Sequence, residues 1–285
     1  MDYEWLFSFV VFAEHLNFTH AAKQLHISQP ALHVQIKKLT EAVGRPLYRR
    51  NGKALVLTPE GKRLAAHGRE VQERGRSVLE ELRGQSSSGP VVLAAGQGAF
   101  LYLLGPAIRR FPKEAWPLRL LSMNTPQALE AVREAKAHLG VVVLEHPPSD
   151  LACTRLCSVG QMVVLPASHR LAKRRMLRPS DLAGERLVVA PEGSPHRTML
   201  EHLLREHGLE PQVAVEATGW EPMLQFARYG IGLTVVNDFC PVPKGLLGIR
   251  LEGAPAAIYW LLHRPDFGHR GVEAMRKLVV ETIPR

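Results

Sequence analysis

The first side chains with recognition chemistry to offer are Gln29, Pro30, His33 and Val34, followed by Lys37 and Lys38. On a helix, residues 30, 34, 37 and 41 share one side, and 33 and 38 flank it. Amide and imidazole groups can hydrogen-bond base edges. A valine can meet a thymine methyl in a major groove. Lysine ammoniums neutralise phosphates and add affinity without sequence information. The chemistry on offer is nucleic-acid recognition, not bond making.

Those side chains need a helix to carry them, and the flanking residues supply it. Leu6, Phe9, Val10 and Ala13 recur at helical spacing and predict a first helix. Thr19 is positioned to cap a second, Thr19–Leu25, and His26-Ile27 to form a turn. Ser28 caps a third helix, with Gln29 and Pro30 in its first turn, where a missing N–H costs nothing. Leu32, Ile36, Leu39 and Val43 form its buried side. Two short helices joined by a tight turn, the second exposed and basic towards its end, form a helix-turn-helix. A structural helical pair in a bundle shows the same pattern, so the next segment matters.

Residues 44–57 read as a short hairpin turning at Asn51-Gly52. Arg49, Arg50 and Lys53 make its tip cationic, as a wing that touches phosphate or the minor groove would be. Thr58-Pro59-Glu60-Gly61 then opens a long helix running to about Gly84, about 40 Å. Leu57, Leu64, Val71 and Val78 repeat every seven residues, with Leu82 on the same seam. Gly68 and Gly75 weaken that helix by about 1 kcal/mol each. A helix with one narrow apolar stripe is expected to pair with a second copy. The resulting two-fold dimer presents two recognition helices to half-sites about 34 Å apart or a multiple of that.

Gly84-Gln85-Ser86-Ser87-Ser88-Gly89-Pro90 is the clearest break in the chain. Beyond it, strand-like runs alternate with helical ones. The strand runs are Val91–Ala95, Leu118–Ser122, Gly140–Leu144, Met162–Leu165, Leu187–Ala190, Val213–Ala217, Leu233–Val236 and Ile258–Leu262. The helical runs are Tyr102–Phe111, Thr125–Ala137, Ser194–His207, Trp220–Tyr229 and Gly271–Ile283. This alternation predicts mostly parallel sheet, split into two small α/β lobes.

Composition is consistent with that reading. The 285 residues carry a net charge of +9, which favours a polyanionic partner or solubility. Residues 1–85 hold 13 Lys+Arg against 9 Asp+Glu, a net of +4, so the charge is spread along the chain. Cys153, Cys157 and Cys240 are an odd set without finger-like partners, so ordinary thiols are expected, with no metal and no disulfide framework. No run of about 18 apolar residues suggests a membrane span. The acidic N-terminus, MDYEWLFSFV, does not look like a signal peptide, so a cytoplasmic location is expected.

The chain resembles the LysR-type transcriptional regulators over its whole length. The likeness is strongest through residues 18–32, FTHAAKQLHISQPAL, and continues in Gln35-Ile36-Lys37-Lys38-Leu39, GRPLYRR at 44–50 and LTPEG at 57–61. The resemblance implies an α/β protein with an N-terminal all-α winged helix-turn-helix at 1–58. A dimerising linker helix at 59–84 and a hinge at 85–90 follow. The effector domain at 91–285 would then be two Rossmann-like lobes, like a periplasmic binding protein. Lobe I would hold about 91–161 and 267–285, lobe II about 162–266. The implied partners are double-stranded DNA at a dyad-symmetric operator, a small-molecule co-inducer rather than a fixed cofactor, RNA polymerase, and further copies in a homodimer or homotetramer.

Carried over by position, DNA would meet Thr19, Ser28, Gln29, Pro30, His33, Val34, Lys37, Lys38, Arg49, Arg50 and Lys53. The co-inducer would meet Gln97, Gly98, Ala99 and Phe100, then Asn124 and Thr125, the latter as a helix cap. Across the cleft would stand Ser194, His196, Trp220 and Glu221. Helix starts at these loops favour an anionic ligand. The chain departs from the family pattern at His33-Val34, where Ser-Arg is usual, and at Thr40 and Tyr48. It also departs at the apolar Ala99-Phe100, and at His138, where Asp is typical.

Two rival readings have sequence features of their own. Gly96-Gln97-Gly98 after a strand hints at a dinucleotide enzyme, but Leu101 stands where a third glycine belongs and no acid ends the next strand. His202 and His207 are five apart and cannot share one helix face as a zinc-protease pair does. A nucleoid-type protein that coats DNA without ligand response would leave about 190 residues of α/β domain without a task.

Overall fold

The computed structural model describes residues 2–82, 89–112, 115–265 and 269–283. Three helices open it: α1 (Tyr3–His15), α2 (Phe18–Gln24) and α3 (Gln29–Val43). Each begins on a side-chain cap, from Asp2, Asn17 and Ser28 in turn. Thr19 therefore does not cap the second helix. Asn17 precedes the helix in extended backbone and accepts from His20 N–H at 3.1 Å. Thr19 lies inside α2 and donates instead to Gln29 Oε1 at 3.2 Å. His26, at φ 55°, turns the chain into α3. Phe9, Phe12, Leu32, Ile36, Leu39 and Leu47 fill the core between these helices. Each such side chain contributes roughly 1.5–3 kcal/mol by leaving water. Val43, expected on that buried side, is exposed because α3 stops there at Gly44.

Strands β1 (Tyr48–Asn51) and β2 (Ala54–Leu57) form the hairpin. Asn51 pairs with Ala54, so the two loop residues are Gly52-Lys53, one later than the Asn51-Gly52 signal suggests. Gly52 takes φ +60° at the first loop position, as a type II′ turn requires.

Helix α4 (Pro59–Leu82) packs on α1 rather than standing free. Leu57 and Leu64 join the N-terminal core. The seven-residue stripe is thus divided: its first half is used inside the chain. Val78 and Leu79 are each 54% exposed and Leu82 79% exposed at the far end. Gly68 does more than weaken the helix. A Cβ there would lie 2.4 Å from Val10 Cγ2, so its absence lets α1 approach. The expected end of this helix near Gly84 and residues 85–88 of the hinge lie outside the described residues.

Lobe I contains β3 (Val91–Ala95), a π-helical turn (Ala99–Leu103), α5 (Gly105–Arg110), β4 (Leu118–Ser122), α6 (Thr125–Arg133), β5 (Leu139–Val143) and β6 (Ala152–Val159). Lobe II contains β7 (Gln161–Pro166), β8 (Met176–Leu177), β9 (Arg186–Val189), α7 (Pro195–Glu206), β10 (Gln212–Glu216), α8 (Trp220–Arg228), β11 (Leu233–Asn237) and β12 (Leu246–Leu251). The chain then returns to lobe I as β13 (Ala257–His263) and α9 (Arg270–Thr282). The sheet orders are β4-β3-β5-β13-β6 and β10-β9-β11-β7-β12-β8.

Both sheets are mixed: five of the nine pairings among their described strands are parallel and four antiparallel. In lobe I, β13 runs antiparallel to β5 and β6; in lobe II, β7 runs antiparallel to β11 and β12. The chain crosses between lobes twice, and the crossing strands enter against the direction of the crossover units. Ile258–Leu262 also belongs to lobe I rather than lobe II, since Leu261 pairs with Val141. Among the described residues no helix is long and apolar enough to cross a membrane. The three cysteines are free thiols, and burial pushes each pKa up, that of Cys240 to about 11.

Candidate nucleic-acid interface and interlobe cleft

The outer side of α3 is open along its length. Gln29, Pro30, His33, Lys37 and Lys38 are exposed, and Val34, an apolar side chain, is 52% exposed among them. Ser28 holds the start of this surface by accepting from Ala31 N–H at 3.2 Å. The His33 ring stacks on Phe18, centroids 3.6 Å apart and planes 14° apart, which restricts its rotamers. Lys38 is not simply free for phosphate: its ammonium stands 5.3 Å from the Trp5 ring centre, a cation–π distance. Lys37 lies 3.9 Å from Glu41, a solvent-screened contact of little energy. Arg49, Arg50 and Lys53 are exposed together on the hairpin.

The second set of predicted residues gathers less completely. Gln97 and Gly98 reach the space between the lobes, but Ala99 is buried and Phe100 packs into the core of lobe I. Thr125 is not the helix cap. Asn124 is, in a reciprocal capping box with Gln127, and Thr125 Oγ1 lies 3.5 Å from Val143 O. Ser194 caps α7 by accepting from Arg197 N–H at 3.4 Å. Two of the helix starts that suggested an anion site therefore already have a side-chain oxygen on one of their N–H groups.

The cleft is filled by aromatic side chains from both lobes. Trp220 of lobe II stacks parallel to Tyr102 of lobe I, centroids 6.3 Å and planes 6° apart. Phe239 packs on both rings. Tyr102 O–H donates to Glu221 Oε1 across the lobes. Burial, then that hydrogen bond, raises the Tyr102 pKa. Gly98 is where the lobes touch, since a Cβ there would sit 2.8 Å from the Trp220 ring. The second glycine of the pair that hinted at a dinucleotide turn thus makes room for an indole. Tyr102 and Phe239 were not foreseen. Tyr102 lies in the apolar run Ala99–Leu104, where nothing distinguishes a cleft residue from a core one.

A third cluster, also unforeseen, joins α4 to lobe I. Glu73 Oε1 lies 2.7 Å from His138 Nε2, and His138 Nδ1 accepts from Val92 N–H at 2.9 Å. Glu70 pairs with Arg264 at 2.6 Å, and Lys62 with Glu134 at 3.2 Å. His269 Nδ1 caps α9, which leaves its Nε2–H to donate to Gly89 O at 3.2 Å.

The chain is similar to known proteins over most of its length. The bacterial regulatory helix-turn-helix model of the lysR family matches residues 3–62, and the LysR substrate binding domain model matches residues 84–284. The RuBisCO operon transcriptional regulator of Allochromatium vinosum is 28% identical over 263 residues, covering 89% of this chain and 86% of its own. The transcriptional activator protein LysR of Escherichia coli is 27% identical over 266 residues, 88% of this chain and 84% of its own. A full-length OxyR variant from Pseudomonas aeruginosa has a similar fold, with TM-score 0.76 and 22% identity, covering 98% of this chain and 94% of that one. CbnR in complex with its target DNA aligns with TM-score 0.61 and 19% identity over 99% of this chain and all of that one. The chain belongs to the LysR family of transcriptional regulators, with an N-terminal DNA-binding helix-turn-helix and a C-terminal substrate-binding domain.

Proposed function

We propose that this regulator binds a dyad-symmetric operator as a dimer or tetramer and changes its grip on DNA when a small co-inducer enters the interlobe cleft. Gln29, Pro30, His33 and Val34 read bases in the major groove. Lys37 and Lys38, with Arg49, Arg50 and Lys53 of the wing, sit at phosphates. Thr19 and Ser28 act through α3, Thr19 by its bond to Gln29 and Ser28 by its cap. The exposed end of α4 at Val78, Leu79 and Leu82 pairs with a second copy. Gln97, Ser194, His196, Trp220 and Glu221 surround the ligand, while Ala99, Phe100 and Thr125 shape the loops that hold it. The protein works in the cytoplasm, beside the chromosome, and acts on transcription through RNA polymerase.

The observation that carries this reading is the exposed row on α3, with an unburied valine at its centre and a buried row of leucines and isoleucine behind it. Ligand entry separates Trp220 from Tyr102 and so changes the pose of the lobes. That shift passes to the DNA-binding half through the charged contacts on α4. The test is the ratio of operator to random-duplex affinity at one stated salt concentration. A ratio of about 10³ or more supports sequence-specific control; a ratio near one contradicts it.

A further inference from the structure

The interlobe space is shaped for a flat ring, because a flat ring fills it. The Trp220 indole lies against Gly98 on one side and parallel to Tyr102 on another, with Phe239 centred 5.7 Å away. The polar groups around that ring are incompletely paired. Glu221 Oε1 accepts from Tyr102 O–H, while Oε2 is buried with no partner among the described residues. His196, whose ring centre is 6.5 Å from that of Trp220, likewise has a buried Nε2 with no partner among them. Burial lowers the His196 pKa to about 4, so near pH 7 the ring adds no positive charge. A carboxylate oxygen can only accept, so the group that completes Glu221 is a donor.

The charges near the cleft are of both signs. Strand β10 ends at Glu216 and β11 next to Asp238, and their carboxylates accept from Glu192 N–H and Gly160 N–H. Arg197 is a cation of this rim. It gives its Nε to Glu201 at 2.5 Å and keeps a buried Nη1 with no partner among the described residues. Aromatic faces of the Tyr102 and Trp220 kind attract cations, whereas an anion would meet the Glu221 carboxylate as a like charge.

We propose, resting on the reading of the cleft as the co-inducer site, that the ligand is an aromatic amine whose ring displaces the Trp220 indole and whose N–H donates to the free oxygen of Glu221. The ligand then replaces the contact that holds the lobes together, so binding and lobe movement are one event. This choice runs against the anionic ligand that the helix starts suggested.

The test uses matched probes on the full chain: tryptamine against indole-3-acetate, and tyramine against 4-hydroxyphenylacetate, each titrated by calorimetry. Each amine is expected to bind at least about tenfold more tightly than its carboxylate partner, a gap of about 1.4 kcal/mol. Glu221→Gln, which keeps the shape and removes the charge, is expected to bring the ratio to about one. Equal or reversed preference, or a preference that survives Glu221→Gln, overturns the amine assignment and leaves the cleft reading standing. Failure of all four probes to bind both the parent and Trp220→Ala, in which the indole no longer fills the space, overturns both. Thermal melting of each variant separates lost binding from lost folding.

Discussion

Glu73 of the long helix lies 2.7 Å from His138 of lobe I, and the other ring nitrogen of His138 accepts from the first sheet strand through Val92 N–H. One imidazole therefore ties helix α4 to the effector domain's central sheet. An aspartate at position 138 would have no N–H to offer the Glu73 carboxylate, so the departure from the family pattern has a structural use here. Burial pushes the Glu73 carboxyl up, but the hydrogen bond from His138 Nε2–H, with the Arg76 charge nearby, outweighs it and holds the pKa below the ordinary carboxylate value. A depressed carboxyl stabilises the fold above its ordinary pKa and loses that contribution as pH falls through the lower folded value. Thermal stability should therefore fall as pH drops below about 4.5. Glu73→Gln should lower stability near neutral pH by about 1–2 kcal/mol and flatten that acid slope. Melting curves from about pH 3 to 7 give both results; an unchanged slope would remove Glu73 from the account.

The two glycines of α4 make opposite predictions. A Cβ at Gly75 meets nothing within 4 Å, so Gly75→Ala should gain helix propensity, about 0.5–1 kcal/mol. A Cβ at Gly68 would strike Val10 Cγ2 at 2.4 Å and approach Leu6 at 3.2 Å. Gly68→Ala should therefore destabilise by about 1–3 kcal/mol despite the same propensity gain. Urea midpoints measured side by side decide it, and equal signs would contradict the packing described.

The proposed role of the wing, charge without sequence reading, makes its own prediction. Arg49→Ala, Arg50→Ala or Lys53→Ala should weaken operator and random duplex alike and reduce the slope of log affinity against log salt by about one each. Titrations at several salt concentrations show this. A loss confined to the operator would mean that the wing reads bases.

The far end of α4 predicts assembly. Leu79→Glu or Leu82→Glu should shift sedimentation towards the monomer with little change in monomer stability, because these side chains are exposed in the single chain. Unchanged sedimentation would place the main contact between copies elsewhere.

Much of this molecule was legible in its residues, because local chemistry dictated it. Ser28-Gln29-Pro30 marked the start of α3, and Leu32, Ile36 and Leu39 marked its buried side. What escaped depended on distant partners. Strand β6 carries Thr154, Arg155 and Ser158 at a sheet edge, so no apolar run announces it. Strand β13 reads like its neighbours, and only its pairing with β5 assigns it to lobe I. Position 138 was legible as a departure, but its tie to Glu73 spans 65 residues. The indole in the cleft was hidden for the same reason: Gly98 and Trp220 are far apart in sequence and meet only across the two lobes.

The central claim is that the open side of α3 reads DNA, with Val34 at its centre. Its most direct test is selection of binding sites from a random pool by the parent chain and by Val34→Arg. The parent should enrich a two-fold site with a thymine opposite Val34, and Val34→Arg should move that position towards guanine, a change of about 1–3 kcal/mol in base preference. The same base profile from both proteins would contradict it.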